Sequence, residues 1–177
     1  YQALYTNTDS DHNTAVGYQA LKLYDNTTDN FNAYNTAFGF QAGLNTTGAA
    51  NRNTFVGGLT GSGNTTGELN TAIGYYALSA NQTGDRNVAI GDYALDSFTG
   101  SSTVAVGEYA LQACTTGLEN TSVGHRSLYT NVDGDHNTAL GYQALYANTA
   151  GNNTAVGFQA GGDTTSGTGL TAVGYLA

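Results

Sequence analysis

Hydrophobic and polar residues alternate along this chain in one short pattern that returns ten times. Residues 13–21 read Asn-Thr-Ala-Val-Gly-Tyr-Gln-Ala-Leu and recur almost unchanged at 137–145, with weaker copies between them. Each copy has a glycine at the same position, and most successive glycines of this position are about 17 residues apart. These anchor glycines are Gly17, Gly39, Gly57, Gly74, Gly91, Gly107, Gly124, Gly141, Gly157 and Gly174. Self-similarity at such a period is the signature of a repeat architecture.

Positions in the repeat, counted from the anchor glycine, differ in side-chain type. Position −1 is large and apolar in every copy, position −2 is nearly always small, and position −3 is Thr or Val. Branched residues two apart, with a small residue between them, are typical of a β-strand whose alternate side chains face opposite ways. The pattern predicts a short strand before each anchor glycine. We interpret the large residue at −1, with the frequent Leu at +4, as the core.

Stacking of these units is what the pattern predicts for the whole chain. Glycine interrupts every apolar segment, so no stretch of about 10–12 residues remains for an amphipathic helix. One unit cannot bury its apolar face alone, but stacked units can. We therefore expect an all-β fold: a parallel β-solenoid of about ten coils with a repeat of about 17 residues, forming a single domain over residues 1–177. Asn at −4 in most copies predicts a ladder of side-chain amides that bonds coil to coil.

Composition removes several classes of function. Four Lys and Arg stand against 13 Asp and Glu, which gives a net charge of −9. That balance excludes a nucleic-acid footprint. No apolar run approaches the roughly 18 residues of a membrane helix, so we expect no membrane insertion by this segment. The single Cys114 excludes an internal disulfide framework and, with no His at a fixed spacing, is interpreted as a buried thiol rather than a nucleophile.

The sequence predicts no catalytic site, no metal site and no cofactor, so the chain is not expected to be an enzyme. The two histidines in Asp-His-Asn segments occupy the same repeat position seven copies apart, too far to share a metal. Asp92 and Glu108 occupy one position in adjacent coils, and a solvated charged face is preferred to a pair of catalytic carboxylates. The Asp-x-Asp segments at 9–11 and 133–135 favour Asx turns, with calcium as the alternative.

Three copies of the repeat read Arg-Asn-Val-Ala-Ile-Gly (residues 86–91), Ser-Thr-Val-Ala-Val-Gly (102–107) and Asn-Thr-Ser-Val-Gly-His-Arg-Ser-Leu (120–128). They resemble the head repeat of trimeric autotransporter adhesins of the YadA type, which centres on Ser-Val-Ala-Ile-Gly. The resemblance extends over essentially the whole chain, although this repeat is longer and Thr replaces Val in most copies. It implies a left-handed β-roll assembled as a homotrimer, displayed outside the cell and used for adhesion. Similar repeats occur in bacteriophage tail fibres and other surface fibre proteins.

The expected function is that of an extracellular fibre segment on a cell or virion surface. It would be a trimeric rigid rod that presents a surface to host cells, through a glycan or host-surface receptor. The chain begins and ends in mid-pattern, and we interpret it as a piece of a longer fibre protein. One alternative is a purely structural filament, or a tail-fibre shaft without its own receptor site. A lesser alternative is an ice-binding solenoid, for which paired threonines in the turns are the candidate rows.

Receptor-binding residues are expected in the one oversized repeat. The interval from Gly17 to Gly39 is about five residues longer than the others, and the surplus falls within residues 23–34. A solenoid tolerates such an insertion where it can loop outward. The candidates are Asp25, Asp29, Phe31 and Tyr34, and a drifted repeat with a longer turn is the alternative. The aromatic residues at +1 are a further candidate, as a sugar-binding stripe, although a ladder that stacks coils or packs protomers is preferred.

Overall fold

Ten three-residue strands form the only regular secondary structure in the part of the chain described by the computed structural model, residues 1–7, 11–24 and 33–177. Each strand ends at the residue before an anchor glycine. None of the described residues forms a helix that could cross a membrane. The strands are β1 Thr14–Val16, β2 Thr36–Phe38, β3 Thr54–Val56, β4 Thr71–Ile73, β5 Val88–Ile90, β6 Val104–Val106, β7 Thr121–Val123, β8 Thr138–Leu140, β9 Thr154–Val156 and β10 Thr171–Val173.

The strands form one parallel sheet in strict chain order, β1 to β10. Every pair is in register, so that equivalent repeat positions lie side by side, as for Ala89 beside Ala105 and Ile90 beside Val106. Each coil of the chain therefore adds one strand to the sheet. This confirms the predicted parallel β-solenoid with its spacing of about 17 residues. At about 4.8 Å per coil, the ten strands extend over roughly 45 Å.

The core lies on the other side of the strands from the predicted one. The small residues at −2, such as Ala89 and Ala105, are buried, whereas the large residues at −1 point outward. Val16 is 49% exposed and Leu140 is 47% exposed. The interpretation of position −1 as core is therefore wrong. Only small side chains fit at −2, because Ala at +3 and residues at +4, mostly Leu, fill the narrow interior from the opposite wall.

One exception shows how tightly this interior is filled. Phe55 is the only aromatic residue at −2, and it is fully buried. Its own coil and the preceding one carry Gly61 and Gly43 at +4, where most coils carry Leu. A Cβ atom would lie 2.4 Å from the Phe55 ring at Gly61 and 2.8 Å from it at Gly43. The large ring thus takes the volume that two leucines vacate, which keeps the core at constant density.

The anchor glycine is required by both conformation and space. At Gly107 the backbone φ is 133°, a region that L-residues rarely adopt, and a Cβ atom would lie 2.6 Å from the carbonyl carbon of Gly124. The same close approach recurs at most other anchors. Consecutive coils therefore meet backbone to backbone at this corner.

The predicted Asn ladder is present, and its amides bond mostly to the backbone of the next coil. The N–H of Asn87 donates to Oδ1 of Asn70 at 3.0 Å, while Nδ2 of Asn70 donates to the carbonyl oxygen of Gly84 at 2.8 Å. Each such amide holds the next coil at two points and satisfies two buried backbone groups. The residues that make this two-point contact are Asn35, Asn53, Asn70, Asn87, Asn120 and Asn137.

The burial of position −2 leads to a direct test. Replacing Ala89 by Asp places an unpaired carboxylate in the apolar interior, and we expect the unfolding free energy to fall by more than about 3 kcal/mol. The matched control is Gln82→Asp, which introduces the same group at an exposed turn position. Thermal and urea unfolding followed by circular dichroism would measure both. Equal stability of the two variants would contradict the placement of the core.

Candidate functional site

Three of the four predicted receptor residues, Asp25, Asp29 and Phe31, lie outside the described residues. The fourth, Tyr34, is 51% exposed, and its ring stacks on His12 with the centroids 4.9 Å apart. Tyr34 is therefore accessible next to the long insertion. The proposal of a receptor site in this loop remains a prediction.

The carboxylates singled out in the turns act as links between coils. Oδ1 of Asp135 accepts the backbone N–H of Leu118 at 2.7 Å, and Oδ1 of Asp85 accepts that of Glu68 at 2.8 Å. These bonds join residues 17 positions apart and are not those of an Asx turn, so the Asx-turn interpretation of residues 133–135 stays a prediction. Residues 9 and 10 of the other Asp-x-Asp segment lie outside the described residues. Across the described ranges, no group of three or more His, Cys, Asp or Glu side chains could hold a metal ion.

Asp92 and Glu108 lie on an open surface rather than in a cleft. Both are exposed. Oδ1 of Asp92 accepts the backbone N–H of Tyr75 at 2.8 Å, and Oε2 of Glu108 lies 3.8 Å from Nε2 of His125. The two carboxylates thus contribute negative charge to the position after the anchor glycine, where other coils carry aromatic rings.

Cys114 is fully buried at position +7, which also carries Phe98 in the coil before and Asn131 in the coil after. Its Sγ lies 3.5 Å from the carbonyl oxygen of Gly117. Burial raises the pKa of the thiol to about 12. The side chain is therefore a protonated core group, as the sequence interpretation has it, rather than a nucleophile.

The aromatic residues at +1 stack on one another along the rod. Tyr142 and Phe158 have centroids 5.1 Å apart and planes within 7°, and Phe158 stacks in the same way on Tyr175. His125 covers the other face of Tyr142 at 5.3 Å. Both faces of Tyr142 and of Phe158 are therefore covered by neighbouring rings, which is the geometry of a coil-stacking ladder and leaves no face for a sugar.

The outward face of the sheet has no charged residue in any of the ten strands. Positions −3 and −1 of all ten strands carry Thr or an apolar residue, and none carries a charge. All twenty side chains are at least partly exposed. Of its two rows, position −3 is Thr in eight strands, and position −1 is apolar in all ten, so the face has a continuous row of exposed apolar side chains. Sequence reasoning assigned position −1 to the core and so missed this face, although the absence of charge in both columns was visible.

Threonines at the strands and in the turns have different roles. In the turns, hydroxyls donate to carbonyl oxygens of the next coil, as from Thr65 to Gln82 at 2.8 Å and from Thr149 to Thr165 at 2.7 Å. Within the described residues, the hydroxyls of the eight strand threonines make no hydrogen bond to the protein. These turn hydroxyls therefore link one coil to the next, whereas the hydroxyls of the strand threonines lie unbonded on the sheet face.

Comparisons of the chain with protein-family models, with curated proteins and with solved structures found no match.

The burial of Cys114 predicts its reactivity. Because the pKa is raised to about 12, the reactive thiolate is scarce at pH 8, and access is blocked as well. We expect the folded chain to react with a disulfide reagent at least about 100-fold more slowly than the same chain in guanidinium. Absorbance of the released thiol would measure both rates. Rapid reaction of the folded chain would show that the coil around position +7 opens to solvent.

Proposed function

We propose that this chain is a segment of an extracellular fibre, on a cell or virion surface, that serves attachment as a rigid homotrimeric rod. The observation that carries this proposal is the uninterrupted parallel sheet with its ladder of buried Asn side chains. Such a rod holds its ends apart and repeats the same outward positions along its length. The similarity of the sequence to YadA-type head repeats supplies the finer proposal, that the segment is the head region of an adhesin of that kind.

The sheet face supports self-association of the rod. It is uncharged over its whole length, whereas the rest of the surface carries the charges of an acidic protein. The apolar interior of most coils contains little more than two small residues and one Leu, which is a modest amount of buried apolar surface for about 17 ordered residues. Contact between the sheet faces of parallel chains in register would bury Val, Ile and Leu side chains in every coil. The number of three chains comes from the family resemblance.

Attachment by such a rod would depend on repetition. Three chains multiply each outward site by three, and weak contacts made together give an avidity far above that of one contact. The alternative role is that of a structural filament without a receptor, and a binding measurement distinguishes it from attachment. Fluorescently labelled rod that fails to bind any host cell or glycan surface would favour the filament.

The association predicts a definite mass in solution. Light scattering coupled to gel filtration should give three times the chain mass of 18.2 kDa. Val106→Glu puts a charge on the sheet face and should lower the trimer fraction, since burying an unpaired charge between chains is costly. Glu108→Gln, two residues away on the outer surface, serves as the control and should leave the mass unchanged. A stable folded monomer of the natural sequence would remove the homotrimer proposal.

A second candidate function, binding to ice, is favoured by the free hydroxyls of the strand threonines. On a parallel sheet the Thr row at −3 repeats every 4.8 Å or so along the rod, and the apolar row at −1 lies about 6.6 Å from it. Regular rows of hydroxyl and methyl groups on a flat uncharged surface can order water into a lattice that matches a crystal face. This function needs the same surface as the trimer contact and therefore needs it uncovered.

Ice binding has its own measurement. The chain as a monomer should then separate the freezing and melting temperatures of its solution and shape the crystals that grow. Thr121→Lys, on the sheet face, should abolish the effect, and Gln82→Lys, in an exposed turn, should leave it intact. Normal crystal growth in the presence of the natural sequence would eliminate this candidate.

A further inference from the structure

One aromatic ring after an anchor glycine departs from the ladder. Tyr75 has Gly58 at the equivalent position in the coil before it and Asp92 in the coil after it, so neither neighbour offers a ring to stack on. Its ring is nearly perpendicular to the rings of Tyr76 and Tyr93, at 82° and 85°. Other rings of this column in the described residues, such as Tyr18 and Phe40, stack in parallel.

The contacts of Tyr75 fix which side of its ring is open. Tyr93 stacks between Tyr76 at 5.6 Å and Tyr109 at 5.4 Å, so both faces of Tyr93 are covered. The centroid of Tyr75 lies 4.6 Å from Tyr76 and 5.7 Å from Tyr93, which places it beside this stack rather than above it. A separation of 4.6 Å is too short for two ring edges to meet, so one face of Tyr75 packs on the edges of the stack. The opposite face points away from this stack, no other aromatic ring of the described residues covers it, and Tyr75 is 44% exposed.

The charge around this open face is negative. Asp92 is exposed next to Tyr75 and is fixed by accepting its backbone N–H at 2.8 Å. Glu108 follows Asp92 at the same position one coil further along the rod. Desolvation and the neighbouring tyrosines raise the pKa of Tyr93, and the charges of Asp96 and Asp92 raise it further. Asp96 and Asp92 therefore contribute negative potential at Tyr93, the neighbour of Tyr75.

An open tyrosine face beside carboxylates selects a particular ligand chemistry. The face of an aromatic ring carries negative electrostatic potential, and cations bind over it, quaternary ammonium groups above all. Anionic ligands would be repelled by Asp92 and by the net charge of −9. We propose that the outward face of Tyr75, with Asp92 beside it, binds a quaternary ammonium group of the choline type. Its use for attachment depends on the function proposed above, whereas the binding itself does not.

Choline titrated into the full chain tests the site, with 3,3-dimethylbutanol as the uncharged probe of the same shape. The methyl proton resonance of choline should move upfield as it enters the ring current of Tyr75, and added salt should weaken binding. The neutral alcohol should bind at least roughly fivefold more weakly. Equal binding of the two probes, or stronger binding of methyl glucoside, would overturn the proposal.

Variants separate the open face from the ladder. Tyr75→Phe should retain binding, Tyr75→Ala should lose it, and Tyr142→Ala, which removes a stacked ring, should retain it. Gly58→Phe supplies the missing ring; its Cβ would lie 3.3 Å from Cδ2 of Tyr75, a contact that a small movement of the flexible side chain relieves. With a ring at position 58 we expect Tyr75 to turn and stack on it, as Tyr18 stacks on Phe40, so that the open face is covered and choline binding is lost while circular dichroism stays unchanged.

The choline experiment and the mass measurement test the two proposals independently. If the chain is a trimer but choline does not shift in its presence, the cation site is wrong and the rod proposal stands. If choline binds to a monomeric chain, the site stands without the rod. Choline binding that persists in folded Tyr75→Ala would also refute the assignment.

Discussion

Hydrogen bonding from each coil to the next is the constraint on which the rest of this structure depends. The strands are three residues long and have no partner within their own coil, so their backbone groups must be satisfied by neighbouring coils. The buried amides extend this rule into the turns, as when Asn70 bonds both the N–H of Asn87 and the carbonyl oxygen of Gly84. Register is therefore fixed at every coil, and each repeat position becomes a straight column of equivalent residues.

The columns explain why the composition looks so unlike that of an ordinary globular protein. A close approach at the anchor corner admits only glycine, and the narrow interior admits mainly Ala and Leu, with Asn where amides bond the backbone. Phe55 is accommodated because Gly43 and Gly61 leave space for its ring. The large apolar side chains at position −1 do not fit in this interior and lie on the outer surface of the sheet. The exposed Val and Ile side chains thus follow from the thinness of the coil.

The period of the sequence predicted the fold because spacing alone requires stacked coils. The inward face of the strand could not be predicted in the same way: alternation defines two faces, and size wrongly suggested that Ile90 rather than Ala89 is inside. The conformation of the turns could not be predicted from the sequence either. Leu at +4 adopts a positive φ, as in Leu95 at 51°, and few leucines do so. The stacking of Tyr142 on Phe158 followed from the repeat, but the perpendicular ring of Tyr75 depended on a missing neighbour, Gly58.

The direction of the coil-to-coil bonds has a mechanical consequence. These bonds run along the rod, and the two ends of the chain lie at opposite ends of it, so tension between the ends loads the terminal coil first. The hydrogen bonds between coils would break one coil at a time from the end of the sheet, and the strands would not all separate together. Each opened coil releases about 17 residues, or roughly 55–60 Å of extended chain. A solenoid of this build would lengthen in many small steps under load, and the force transmitted along it would be limited to the force that opens one coil.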